Sequence, residues 1–102
     1  MMYRQGDVLL VRVDRTPKMT AVPRNGSRIV LAYGEATGHA HAITDEQVTL
    51  YDAPKGERYL RIVQKPALLL HEEHREITLP PGLYRVRRQR EYSLTDIRQV
   101  VD

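Results

Sequence analysis

The fold class is first indicated by the segment Gln5-Gly6-Asp7-Val8-Leu9-Leu10-Val11-Arg12-Val13. Its Gly-Asp pair is typical of a turn, and the six residues that follow are mostly apolar and rich in β-branched side chains. A run of this length is too short for a helix in a protein core. It therefore predicts a buried strand over residues 8–13.

Comparable short runs recur along the chain, separated by residues that favour turns. They span residues 28–33, 47–52, 58–64, 67–70, 77–79 and 83–90. Because no long segment has the helical period, the sequence predicts one all-β domain over residues 1–102. We expect a small barrel or sandwich, jelly-roll-like, with about six to nine short strands.

Two segments are less regular. Residues 15–27 contain two prolines and the pair Asn25-Gly26, which predicts a loop with an Asn-Gly turn. Residues 97–101 alternate like a strand, whereas Ser93-Leu94-Thr95-Asp96 could instead cap a short helix. We favour a strand for this tail.

The composition excludes several protein classes. The chain has 102 residues, no cysteine and a net charge of +3, from 16 basic and 13 acidic residues. Without cysteine it has neither a disulfide framework nor a thiolate metal site. No apolar run approaches the roughly 18 residues of a membrane span, and no signal-peptide pattern is present. We therefore expect a cytoplasmic protein without membrane contact.

All four histidines fall in two short clusters, His39-Ala40-His41 and His71-Glu72-Glu73-His74. On a strand, His39 and His41 share one face. His71 and His74 would point to opposite faces unless the two glutamates bend the chain or form a helical turn. Neutral imidazole is a common ligand of zinc, iron, nickel and copper. We therefore predict that folding joins the clusters into a site for one divalent metal ion.

Carboxylates near these clusters could add an oxygen ligand or orient an imidazole. The candidates are Glu35, Glu46, Glu72 and Glu73. An open coordination position would allow the ion to act as a Lewis acid, whereas a filled shell would make it a structural element. The sequence leaves open whether the protein is an enzyme. It also leaves open that the histidines are unconnected and lie on solvated strand faces.

One family resemblance follows from these residues. Gly34, the pair His39-Ala40-His41 and Glu46 resemble the first cupin motif, and Pro80-Pro81-Gly82 resembles the core of the second. Cupins are jelly-roll barrels, so the resemblance implies that fold. It also implies His39, His41 and Glu46 as metal ligands. The chain is similar in other respects to small bacterial or phage proteins.

The second motif departs from the cupin pattern at one position that matters. Arg85 stands where cupins have their later histidine. By this resemblance, the fourth ligand would come from His71 or His74.

A different function is suggested by an arginine-rich strand. Its residues are Tyr84, Arg85, Arg87, Arg88 and Arg90. Guanidinium groups with a neighbouring aromatic ring could bind nucleic acid, so a nucleic-acid or protein adaptor is the alternative function. The same arginines could instead form a solvated face paired with nearby glutamates.

Two further expectations follow from the same features. Two histidines could act as acid and base in a metal-free phosphodiesterase. Exposed strand edges also allow a homo-oligomer.

Overall fold

The computed structural model of the chain describes residues 1–15, 17–33 and 38–88. Within these residues the secondary structure consists of ten strands and one short 3-10 turn, Pro54–Gly56. The strands are β1 (Met2–Gln5), β2 (Val8–Val13), β3 (Thr20–Ala21), β4 (Ile29–Tyr33), β5 (Ala40–Ile43), β6 (Val48–Asp52), β7 (Arg58–Ile62), β8 (Ala67–Leu69), β9 (Ile77–Leu79) and β10 (Gly82–Arg88).

Six of the strands form one antiparallel sheet in the order β1-β2-β10-β7-β6-β3. Strand β10 lies inside this sheet, between β2 and β7. Alternate side chains along each strand face the same side, and those that face inward are aliphatic or tyrosine. This inward set is Val8, Leu10, Val48, Leu50, Leu60, Ile62, Tyr84 and Val86.

The remaining strands form a second layer. Strand β4 pairs with β5, and β8 pairs with β9. The two pairs are joined because Ala42 donates a backbone hydrogen bond to Leu70 (2.9 Å) and Leu70 donates one back (2.8 Å). Apolar side chains of this layer belong to the same buried cluster as the inner face of the six-stranded sheet. The two layers thus enclose one hydrophobic core, as in a β-sandwich.

The predicted all-β fold class is confirmed, and two short strands lie where none was predicted. Strand β1 pairs with β2 through a two-residue turn, and β3 lies inside the segment 15–27 that was predicted as a loop. Both strands arise from pairing with a neighbouring strand, and the local pattern of apolar residues does not indicate them. The predicted Asn25-Gly26 turn is confirmed, since Asn25 and Arg28 form a bridge around it. Arg90 and residues 93–101 lie outside the described residues.

The core predicts the effect of a cavity-forming substitution. Leu60 is fully buried at the centre of the cluster, so Leu60→Ala should lower the free energy of unfolding by about 2–5 kcal/mol. Urea denaturation measures the loss. Leu68 lies on the neighbouring layer and is 39% exposed, so Leu68→Ala should cost less than about 1 kcal/mol. Equal losses in the two variants would contradict this core.

Candidate functional site

The four histidine rings form one cluster. His39 immediately precedes β5, His41 lies in β5, and His71 and His74 follow β8. The centroid of the His71 ring is 4.3 Å from that of His41, 4.6 Å from that of His74 and 5.8 Å from that of His39. The rings of His41 and His74 are 5.9 Å apart. His71 is therefore the central ring, and we call these four residues the histidine cluster.

Two glutamates fasten the segment 71–74 against β5. The chain bends at residues 72–74, which brings both histidines of that segment to the same side. The Glu72 carboxylate accepts a hydrogen bond from the backbone N–H of Ala40 (2.9 Å), and this bond holds the pKa of Glu72 below its usual value. The Glu73 carboxylate lies 2.6 Å from Nδ1 of His39. The two glutamates thus hold the segment 71–74 in place relative to His39 and β5.

His41 is the most buried member of the cluster, with 2% of its surface exposed. Its Nδ1 lies 2.9 Å from Oε1 of Gln5. The amide nitrogen of Gln5 donates to the backbone carbonyls of Leu69 (2.9 Å) and Arg75 (3.0 Å), which fixes the oxygen toward the imidazole. Because a carboxamide oxygen can only accept, Nδ1 of His41 carries the proton. In the neutral ring, Nε2 then presents a lone pair.

That lone pair faces a carboxylate. Nε2 of His41 lies 3.4 Å from Oδ1 of Asp7, and Oδ2 of Asp7 accepts a hydrogen bond from Arg88 (3.0 Å). Burial alone would raise the pKa of Asp7, but Arg88 holds it below its usual value. Burial first, and then the neighbouring His71, lower the pKa of His41 to about 4. At neutral pH a neutral imidazole therefore faces an ionised carboxylate, and neither atom has a proton to share.

Gly6 allows the fourth ring to approach this pair. It is the first residue of the turn between β1 and β2 and has a φ of +59°, a conformation that favours glycine. A Cβ atom at this position would lie 2.6 Å from Nε2 of His74. The absence of a side chain lets His74 pack against the turn that carries Asp7.

Sequence reasoning missed Gln5 and Asp7. The local pattern gave Asp7 only a place in a turn and gave Gln5 no role. Their partners are remote along the chain, since His41 is 36 residues from Gln5 and Arg88 is 81 residues from Asp7. Glu46 lies exposed in the turn after β5, and no contact within the described residues joins it to a histidine. Glu35 lies outside those residues.

The ring nitrogens of the histidine cluster are not directed at a common position. In the part of the chain that the structure describes, no group of three or more His, Cys, Asp or Glu side chains is arranged to hold a metal ion. One reason is local: Nδ1 of His71 accepts a hydrogen bond from the backbone N–H of Glu73 (3.0 Å), so the proton of the neutral ring lies on Nε2. Joint ligation would require this ring to turn.

The arginine-rich strand is divided by the fold. Arg85 and Arg87 face the opposite side of β10 from the core residues. Tyr84, which was predicted to stack bases, is fully buried, and its hydroxyl donates to the carbonyl of Pro80 (2.6 Å). The structure therefore removes Tyr84 from that set. Arg88 lies on the core side of the strand and contacts Asp7.

The lowered pKa of His41 predicts acid sensitivity. Between its ordinary pKa of 6.5 and its folded pKa of about 4, the unfolded chain binds a proton that the folded chain does not. The contribution of His41 to the free energy of unfolding should therefore be unchanged above about pH 6.5. As the pH falls toward 4, this free energy should decrease by up to about 3 kcal/mol. Urea denaturation of protein in EDTA measures this slope. His41→Gln should flatten it, and an unchanged slope would contradict the assignment.

Comparison with known proteins identifies the family. No curated protein and no solved structure matches the chain. Among the described residues, no helix is long and apolar enough to cross a membrane. The family described as "Domain of unknown function (DUF8820)" matches residues 4–89, which include the histidine cluster, Gln5, the Gly6-Asp7 turn and β10. The chain therefore belongs to the DUF8820 family.

Proposed function

We propose that the protein binds a divalent transition-metal ion at the histidine cluster, with Nε2 of His41 and Oδ1 of Asp7 as its first two ligands. The observation that carries this proposal is their 3.4 Å separation, with a lone pair on each atom. Two acceptors at this distance repel one another unless a cation or a proton lies between them. The low pKa of His41 disfavours the proton, and we therefore assign the bridging position to a cation.

The separation also suits a metal ion. Two ligand atoms that each lie about 2.1 Å from a tetrahedral zinc ion are roughly 3.4 Å apart. The hydrogen bond from His41 to Gln5 is of the kind that orients ligating imidazoles, because it leaves the other ring nitrogen free to bind the ion. Neutral imidazole and carboxylate together suit zinc, nickel, iron or copper.

The remaining ligands would come from the other rings of the cluster. His74 packs beside the Gly6-Asp7 turn, and His71 lies between His74 and His41. If these two rings turned toward His41 and Asp7, their nitrogens would be the third and fourth ligands. His39, whose Nδ1 is held by Glu73, keeps its Nε2 as a further candidate ligand.

The low pKa of His41 favours metal binding over metal-free acid and base catalysis. A histidine with a pKa of about 4 is a weak general base at neutral pH. The same low pKa keeps the nitrogen unprotonated, which a metal ligand requires. If one coordination position stays open, the ion would supply Lewis-acid chemistry there.

Two sequence predictions bear on this proposal. The cupin resemblance would make Glu46 a ligand, whereas we assign the carboxylate ligand to Asp7. The family match does not point to cupins, although the all-β architecture is compatible with one. Self-association of chains is a further part of the proposal, since β1 and β3 are the outer strands of the large sheet.

Zinc and nickel titrations test the proposal. The protein without a purification tag, first treated with EDTA, should bind about one ion per chain by isothermal titration calorimetry, and its melting temperature should rise with metal concentration. His41→Gln and Asp7→Asn should each weaken binding at least about tenfold, because each removes one of the first two ligands.

Glu46→Gln is the matched control, since it changes a nearby carboxylate in the same way. It should leave affinity unchanged if Asp7 is the ligand, and it should abolish binding if the cupin-type set is correct. Circular dichroism of each metal-free variant confirms that the fold is retained. Full binding by both His41→Gln and Asp7→Asn would refute the proposed site.

A further inference from the structure

A cavity at the end of β10 differs in character from the histidine cluster. It has a volume of about 340 Å³ and lies between the end of β4, the β6–β7 connection and the second half of β10. Its charged lining consists of Lys55, Glu57, Arg58, Arg85, Arg87 and Arg88. We call this cavity the basic groove. Asp52 and Asp7 each pair with one of these arginines, so five cations face three carboxylates and the lining keeps an excess of positive charge.

Two arginines of the groove, Arg85 and Arg58, are each held by an ion pair. Glu57 pairs with Arg85 (3.0 Å), and Asp52 accepts from Nε of Arg58 (3.0 Å). A guanidinium group has five N–H donors in a fixed plane, so one ion pair orients it without using all of them. Guanidinium groups held in this way are prepared to bind phosphate oxygens in pairs.

The backbone at Lys55 is an independent observation at the same place. Lys55 lies in the β6–β7 connection with a φ of +66°, in the left-handed region that residues other than glycine rarely adopt. Such a conformation costs stability and is often retained where the residue has a function. Here it places a cationic residue in the lining of the groove.

An exposed aromatic ring completes the groove. Tyr33, at the end of β4, is 55% exposed and lines the cavity. The side-chain amide of Asn25 donates a hydrogen bond to its hydroxyl (3.1 Å), which limits its movement. An exposed ring beside bound phosphate provides a surface on which a nucleobase can stack.

We propose that the basic groove binds a nucleotide, with its phosphate on Arg85 and Lys55 and its base on Tyr33. The volume lies in the range of about 300–1,000 Å³ that is common for small-ligand pockets. The phosphate could belong to a free mononucleotide or to a unit of a single strand, because both present the same chemistry. None of these residues is among the proposed metal ligands.

Fluorescence anisotropy with a short labelled oligothymidylate tests the proposal, in low salt and with EDTA so that the metal site plays no part. The labelled strand should bind and should be released by added salt. Displacement by AMP would identify a mononucleotide site, and binding that only unlabelled oligothymidylate displaces would identify a strand site. No binding of either would overturn the proposal.

Paired variants separate the groove from general charge attraction. Arg85→Ala should weaken binding about tenfold, whereas Arg12→Ala, on the neighbouring strand β2 and outside the groove, should change it little. Lys55→Asn should also weaken binding while raising the melting temperature, because asparagine tolerates a positive φ. Equal losses for Arg85→Ala and Arg12→Ala would overturn the proposal.

Two substitutions at Tyr33 test whether a base stacks on its ring. Tyr33→Phe keeps the ring and should retain affinity, whereas Tyr33→Leu should lose at least about fivefold. Equal affinity of these two variants would show that no base stacks there and would overturn the assignment of a nucleotide. Retained folding of all variants, measured by circular dichroism, ensures that each loss is a loss of binding.

Discussion

The carboxamide of Gln5 holds the site together. Its nitrogen donates to Leu69 and to Arg75, and its oxygen accepts from His41. These bonds join the first hairpin, the strand β5 and both ends of the segment that carries His71 and His74. Because Gln5 is buried, each bond satisfies a group that would otherwise be costly to remove from water. The same three bonds decide which nitrogen of His41 is available for chemistry.

Asp7 connects the two candidate sites. One of its oxygens faces His41 in the histidine cluster, and the other accepts from Arg88, which lines the basic groove. Arg88 keeps the carboxylate ionised, and it also contributes to the low pKa of His41. Charge bound at one of these candidate sites would therefore act on the other through two side chains. An anion near Arg88 and a cation near Asp7 would favour one another.

Local patterns predicted the strands well and predicted the site in part. Alternating apolar residues indicated β2, β6, β7 and β10, because burial on one face dictates a period of two. The grouping of four histidines into two clusters indicated which rings to compare. Gln5 and Asp7 could not be found in this way, since each acts through partners that only the tertiary structure supplies. The burial of Tyr84 likewise depends on how β10 is inserted between two other strands.

That insertion has a consequence for how the protein is made. Strand β10 is the last strand of the described chain, yet it lies between β2 and β7. A nascent chain that has not yet emerged beyond residue 82 must keep β2 and β7 apart, with their edges unpaired. Assembly of the six-stranded sheet should therefore wait for β10. Until then the apolar edge of β2 is open to chaperones and to other nascent chains.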